Sequence, residues 1–141
     1  MAQVDQAREK YMNDGGSLVS YQNKNISVAS TDAYATILDI DSRGLRSSVI
    51  TLFNTHASND CLYEIWATAL DKASITAMTG TDDTDLHNGW VQIGTEATLT
   101  ASATTGTIVA LTNPYTQIVV RIKASAGGSQ GTIIAIHRGE N

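Results

Sequence analysis

Hydrophobic and polar residues alternate in short runs along most of the chain. In Gln117–Lys123, for example, Ile118, Val120 and Ile122 fall on one side of an extended backbone. A period of two is typical of a β-strand with one face in a core. Such runs predict ten strands: Leu18–Tyr21, Ile26–Ser30, Ala35–Ile40, Ser48–Asn54, Leu62–Leu70, Trp90–Ile93, Ala97–Thr100, Thr107–Leu111, Gln117–Lys123 and Thr132–His137.

Turn-forming residues separate these strands, as at Asp41-Ser42-Arg43-Gly44 and Ala126-Gly127-Gly128-Ser129. No helical pattern long enough for a parallel βαβ crossover lies between them. We therefore predict an all-β fold, an antiparallel β-sandwich of jelly-roll or immunoglobulin-like type. Leu52 is placed in its core although strict alternation puts it opposite Val49 and Phe53. The predicted core comprises Ile37, Val49, Leu52, Phe53, Ile65, Ile118, Val120, Ile122 and Ile133.

The strand predicted over Leu62–Leu70 is apolar on both faces, since Tyr63 and Ile65 share one side and Trp66 lies on the other. This pattern predicts that the core covers one face and a partner or a loop covers the other. The following segment, Lys72 to Gly89, has no strong period and is longer than the usual connection. Such long loops are usually functional or bound to a partner.

The first sixteen residues differ from the rest of the chain. Val4, Ala7, Tyr11 and Met12 form the weak apolar stripe of a short helix that ends at Gly15-Gly16. We predict an N-terminal arm over residues 1–16 and a β-sandwich domain over 17–141. The arm is expected to bind another subunit through Val4, Tyr11 and Met12; the alternative is a frayed terminus.

Charged residues make up only 16% of the 141 residues, against about a quarter in a typical domain. Nine Lys and Arg against fourteen Asp and Glu give a net charge of −5. The acidic balance opposes binding to a phosphate backbone, so no nucleic-acid partner is predicted. A low content of charge suits closely packed contacts between subunits, because charged residues are depleted from interface cores.

The N-terminal sequence lacks the basic and apolar stretches of a secretory signal. No apolar run approaches the roughly 20 residues of a membrane-spanning helix, so no membrane partner is predicted. The single Cys61 cannot form an internal disulfide, which fits synthesis in a reducing cytoplasm. A protein made there can still leave the cell on a particle.

The densest group of acidic residues is Asp82-Asp83-Thr84-Asp85, in the long segment. Asp83 and Asp85 match the first and third positions of a calcium-binding loop, but the glycine comes one place late and no Glu closes the loop. We therefore predict a solvated acidic loop and no bound metal. No cofactor is predicted, since the chain has neither a phosphate-binding loop nor a dinucleotide fingerprint.

Other residues with catalytic chemistry do not form recognisable sites. Asp39 and Asp41 lie two apart and would share one face of a strand, but Arg43 or Arg46 is expected nearby as a counter-charge. The histidines, His56, His87 and His137, show no metal-ligand spacing. Asp60 precedes Cys61 and opposes activation of its thiol. We predict that the protein is not an enzyme and has no catalytic residues.

Four aromatic residues offer a second class of site. Trp66 and Trp90, with Tyr63 and Tyr115, could form a platform for stacking sugars on a face of the sandwich. Large aromatic side chains are more often buried, and Tyr63 shares its strand face with Ile65. We therefore predict that most of them pack in the core.

One part of the sequence resembles small β-sandwich virion proteins of tailed bacteriophages. It runs from Trp90-Val91-Gln92-Ile93-Gly94, through Ala97-Thr98-Leu99-Thr100 and Thr107-Ile108-Val109-Ala110-Leu111, to Asn113-Pro114-Tyr115 and Ile118-Val119-Val120-Arg121-Ile122-Lys123. Capsid decoration (cement) proteins are the nearest in style, with strands rich in Thr and Ala, few charges and no catalytic motif. The resemblance spans about residues 26 to 137. The layout also resembles fibronectin-type and carbohydrate-binding sandwiches.

The resemblance implies a structural protein of the virion that stabilises the capsid by binding the major capsid protein. It further implies a homo-oligomer, often a trimer, whose N-terminal arm reaches a neighbour. The alternative is a carbohydrate- or receptor-binding module of a phage tail. Exposed aromatic rings beside polar groups would favour that alternative, whereas an extended contact surface with few charges would favour a decoration protein.

Overall fold

The computed structural model describes residues 19–27, 33–102, 106–112, 114–125 and 132–140. Their backbone forms eight strands, all paired antiparallel. The strands are β1 (Val19–Ser27), β2 (Ala35–Asp41), β3 (Ser47–Asn54), β4 (Cys61–Thr68), β5 (Trp90–Leu99), β6 (Thr107–Leu111), β7 (Gln117–Ala124) and β8 (Thr132–Glu140).

The strands form two four-stranded sheets. Sheet A has the order β1-β8-β3-β6, and sheet B has the order β2-β7-β4-β5. This alternation of the chain between two sheets is that of an eight-stranded jelly roll. The predicted antiparallel sandwich is therefore confirmed, and its topology is the jelly-roll type.

Two of the strands are longer than predicted. β1 continues through its polar middle, and β5 runs unbroken through Gly94, so eight strands replace the ten expected. Gly94 has φ of 75°, and the pairing of β4 with β5 shifts register between Tyr63 and Ile65, opposite this glycine. A bulge thus absorbs the glycine without ending the strand.

The core lies between the sheets. It comprises Ile37, Leu38, Ile40, Ile50, Leu52, Cys61, Tyr63, Ile65, Ala67, Leu99, Leu111, Ile118, Val120, Ile122, Ile133 and Ala135. The predicted core is correct for Ile37, Leu52, Ile65, Ile118, Val120, Ile122 and Ile133.

The prediction is wrong for Val49 and Phe53, which lie on the face of β3 that points away from the core. The inward face of β3 carries Ile50 and Leu52 between two polar residues, Ser48 and Asn54, which hid this face in the sequence. Burial of the Asn54 amide is tolerated because its Nδ2 donates to the carbonyl oxygens of Asn59, in the loop after β3, and Leu99, at the end of β5, over 2.9 and 3.1 Å.

Residues 69–89 join β4 to β5 and form what we call the covering segment. It contains a 3₁₀ turn, Lys72–Ser74, and a short helix, α1 (Asp82–His87), where the sequence predicted a loop without a period. Ile75 and Met78 of this segment pack against side chains on the outer face of sheet B. The second face of β4 is therefore covered by the chain itself.

The N-terminal arm, with Val4, Tyr11 and Met12, lies outside the described residues, so its predicted contacts stay predictions. The boundary between arm and sandwich at residues 16 and 17 also falls there. Within the described residues no helix is both long and apolar enough to cross a membrane.

Candidate interaction surfaces

The outer face of sheet B holds a second apolar cluster beneath the covering segment. Trp66 of β4, Trp90 of β5 and Val119 of β7 are buried there. The Trp90 indole Nε1 donates to the carbonyl oxygen of Thr76 over 2.8 Å, which ties the covering segment to the sheet. Burial of both tryptophans confirms the prediction that they pack inside the protein.

Two residues of opposite charge are buried beside this cluster. Glu64 of β4 and Arg121 of β7 are register partners, and Arg121 Nη2 donates to Glu64 Oε2 over 2.5 Å. The same carboxylate oxygen accepts a hydrogen bond from the Trp66 indole over 2.8 Å. The guanidinium also lies 5.1 Å from the ring centres of Tyr34 and Trp66. A buried pair is tolerated when hydrogen bonds satisfy its atoms, as they do for this carboxylate.

Asp85 connects this pair to the covering segment. Its carboxylate is fully buried and accepts from the backbone N–H and hydroxyl of Thr79, over 2.7 and 2.9 Å, and from Gly80 N over 3.1 Å. Arg121 Nη1 lies 3.9 Å from Oδ2 of Asp85. The prediction of a solvated acidic loop is therefore wrong for Asp85, although Asp82 and Asp83 are exposed. No group of potential metal ligands occurs among the described residues.

The edge of this network is formed by Tyr34. Its hydroxyl donates to Glu96, and Lys123 Nζ lies 3.5 Å from the same carboxylate and 4.7 Å from the ring centre. Burial, followed by the hydrogen bond to Glu96, raises the pKa of the Tyr34 hydroxyl well above its usual value. The charged side chains on this part of sheet B thus pair with one another.

Sequence reasoning did not single out Glu64 and Arg121. Their signal was present, because each interrupts a strand whose two faces both carry apolar residues. Linking them required the register between β4 and β7, which are distant in sequence.

The outer face of sheet A differs from that of sheet B, because apolar side chains remain open on it. Ile108 is 68% exposed and Val49 is 39% exposed. Phe53 pairs with Ile134, and Thr51 lies between Ile108 and Ile136 across three strands. We call this surface the apolar face: Val49, Phe53, Ile108, Ala110, Ile134 and Ile136.

A groove of about 410 Å³ lies at one end of the apolar face. Its lining residues are Phe53, Asn54, Thr55, Ser102, Ile134 and Ile136. The polar groups of Asn54 and Ser102 already form hydrogen bonds within the protein. Asn54 Nδ2 donates to the carbonyl oxygens of Asn59 and Leu99, and Ser102 Oγ donates to the carbonyl oxygen of Ala57 over 2.6 Å. The groove therefore presents a mostly apolar surface.

The acidic pair on β2 is structural. Asp41 accepts from Nε and Nη2 of Arg43 over 2.9 and 2.7 Å, which confirms the predicted counter-charge. These hydrogen bonds lower the pKa of the Asp41 carboxyl. Asp39 is exposed and accepts from Gln117 Nε2 over 2.5 Å.

The three histidines lie in different environments. His56 Nδ1 accepts from two backbone N–H groups of its loop, over 3.0 and 2.9 Å, while His87 is exposed on α1. His137 is fully buried on the inner side of β8, and neither of its ring nitrogens has a hydrogen-bond partner among the described residues. Burial lowers the pKa of His137 to about 4.

Cys61 has the unactivated thiol that was predicted, and Tyr63 and Tyr115 pack in or against the core as predicted. Cys61 is buried, and burial together with Asp60 raises the pKa of its thiol to about 12, which opposes reactivity. Tyr63 is in the core and Tyr115 packs against it. These aromatic residues therefore do not form an exposed platform with Trp66 and Trp90.

The strand order and the two outer faces place the described residues in the class of jelly-roll β-sandwiches, with one face covered and one apolar face open. No protein-family model matches the sequence, and no curated protein matches it. Among solved structures the chain is similar to one described under "Bacillus endospore appendages form a novel family of disulfide-linked pili". The two are 11% identical over 89% of this chain and 90% of that chain, with a TM-score of 0.45.

Proposed function

We propose that this chain is a structural subunit that binds other proteins through the apolar face of sheet A. In the specific form implied by the sequence resemblance, it is a capsid decoration protein of a virion. It would bind the major capsid protein and other copies of itself. The observation that carries the proposal is the open apolar face, on a chain that covers the equivalent face of sheet B with its own residues.

The composition of the apolar face supports binding to protein rather than to a small polar ligand. Its exposed members are aliphatic, and Ile108 and Val49 lie on neighbouring strands. Apolar side chains grouped on one face of a sheet, here beside the exposed Arg138 that pairs with Val49, are typical of sites of protein interaction. Multiple copies on a particle would add avidity without tight individual contacts.

The particle assignment is tested with purified virions of the source. Mass spectrometry should find this chain in a fixed ratio to the major capsid protein. Purified protein should also bind particles that lack it, and Val49→Glu should weaken that binding about tenfold or more by placing a charge in the contact.

The matched control is Thr98→Glu, which adds the same charge at an exposed position of sheet B. It should bind particles like the unaltered protein. Absence of the chain from the particles would contradict the decoration role. Equal binding by the two variants would contradict a role for the apolar face.

The second candidate is a carbohydrate- or receptor-binding module of a phage tail. The groove beside Phe53 and Thr55 favours it, because an aromatic ring there adjoins a polar side chain. The internal hydrogen bonds of Asn54 and Ser102 favour the first candidate, since they leave fewer groups to recognise a sugar. A glycan array that gives a signal lost in Phe53→Ala would support the second candidate.

A further inference from the structure

The edge strands of the two sheets are not equally protected. In the described part of the chain the edges are β1 and β6 of sheet A and β2 and β5 of sheet B. An edge strand presents unpaired backbone N–H and C=O groups to any other extended chain. Proteins block such pairing with charged side chains, proline or bulges.

Three of the four edges carry these features. β1 includes a lysine, Lys24. β2 has a shift of register between Thr36 and Leu38 and carries two carboxylates, Asp39 and Asp41. β5 contains the bulge at Gly94 and the acidic residue Glu96.

β6 carries none of them. Its sequence, Thr107–Leu111, has no charged residue and no proline. All five residues of β6 pair in regular register with β3. Ile108 and Ala110 point outward and are exposed, so the strand is both uncharged and accessible.

We propose that β6 pairs antiparallel with β6 of a second copy of this chain, across a two-fold axis. This pairing joins the two copies of sheet A into one continuous sheet. Two-fold symmetry brings the same strand from each copy together. An uncharged strand then meets an uncharged strand, so no like charges lie opposite each other.

The two edges of sheet B are poorer partners for β6. Pairing with β2 would desolvate Asp39 and Asp41 against Ile108, and pairing with β5 would meet the bulge at Gly94. Self-pairing avoids both costs. It also brings the apolar faces of the two copies side by side, because Ile108 and Ala110 belong to both the edge and that face.

The inference goes beyond the proposed function and does not depend on it. Self-pairing is a property of the isolated protein and is measured without particles. Loss of particle binding in Val49→Glu tests the proposed function, whereas the following experiment measures self-association of the chain without particles.

The experiment is sedimentation velocity of the full chain over a range of concentrations. The unaltered protein should associate to a dimer or a multiple of it. Ala110→Lys and Ala110→Glu should each weaken association about tenfold or more, because each places like charges across the two-fold axis. An equimolar mixture of the two variants should restore association, since opposite charges then meet.

Thr98→Lys is the control, because it adds the same positive charge as Ala110→Lys at an exposed position of β5, an edge strand of sheet B. It should associate like the unaltered protein, and circular dichroism should be the same for all variants. A monomer at every concentration would overturn the proposal. So would association that survives Ala110→Lys, or a mixture of the two charged variants that stays monomeric.

Discussion

The outer faces of the two sheets differ in what covers them. On sheet B, the covering segment lies over Trp66, Trp90 and Val119, which leaves each nearly inaccessible. On sheet A, Ile108 and Val49 remain open although they occupy equivalent outward positions. Both sheets thus have apolar outer faces, but the described chain provides a third layer for only one.

This difference in covering distinguishes apolar residues that stabilise the folded single copy from apolar residues that are open to contact with a partner. Apolar surface on a sheet must be covered by another element to leave water. Where the chain supplies that element, the contact contributes to folding of the single copy. Where the described residues supply none, as on sheet A, the same kind of apolar surface is available to a partner.

The largest effect on stability is expected at Arg121, on the outer face of sheet B beneath the covering segment. Arg121→Ala should lower the free energy of unfolding by about 3–5 kcal/mol, because it leaves the carboxylates of Glu64 and Asp85 buried without their cation. Urea denaturation measures this loss. Arg138→Ala is the control, since Arg138 forms an equally short ion pair, at 2.5 Å to Glu140, but on the exposed surface. It should change stability little, because exposed ion pairs are screened by water.

Equal losses in the two arginine variants would contradict the distinction between the faces. Arg121 would then be as hydrated as Arg138, and the covering segment would not seal the outer face of sheet B.

The next largest difference is expected between two neighbouring residues of β3. Ile50→Ala should destabilise the protein by about 2–5 kcal/mol, because Ile50 is fully buried between the sheets. Val49→Ala, one residue away on the apolar face, should change stability by less than about 0.5 kcal/mol. Thermal or urea unfolding of the two variants measures the difference. Similar losses would mean that the apolar face is covered in the single copy.

The same strand shows where sequence reasoning reached its limit. Both faces of β3 carry large apolar residues, so periodicity alone could not assign Val49 and Phe53 or Ile50 and Leu52 to the core. In β7 the alternation of Ile118, Val120 and Ile122 was unambiguous, and their predicted burial is confirmed.

The sequence predicted that something covers the second face of β4, but not what. The covering segment has no apolar period, and only Ile75 and Met78 enter the cluster. Its position depends on buried polar contacts, such as Thr79 to Asp85, that form only in the folded chain. The pairing of Glu64 with Arg121 depends likewise on strand register, which a sequence pattern does not encode.

The third prediction concerns His137, which lies on the inner side of sheet A and is buried from water although the outer face of this sheet is open. The pKa of His137 falls from an ordinary value near 6.5 to about 4 in the folded protein. As the pH falls, His137 therefore binds a proton in the unfolded chain at a higher pH than in the folded chain. The free energy of unfolding decreases as the pH falls from about 6.5 towards 4. The shift corresponds to about 3 kcal/mol.

His137→Leu should remove this part of the pH dependence, measured as the free energy of unfolding at a series of pH values. His87→Gln is the control, because it replaces a histidine at an exposed position. An unchanged profile in His137→Leu would mean that water reaches this ring through sheet A.

The smallest effect on stability is expected for deletion of residues 1–16. If the arm binds another subunit, the shortened chain should unfold with a free energy within about 0.5 kcal/mol of the full chain. Its attachment to particles should weaken, since Val4, Tyr11 and Met12 would each contribute about 1.5–3 kcal/mol of burial. Replacing these three residues by serine in the full chain separates their contribution from that of arm length. If the arm instead covered sheet A of its own copy, deletion would raise binding of a hydrophobic dye or cause aggregation. The two sheets would then differ only in which segment of the chain covers them.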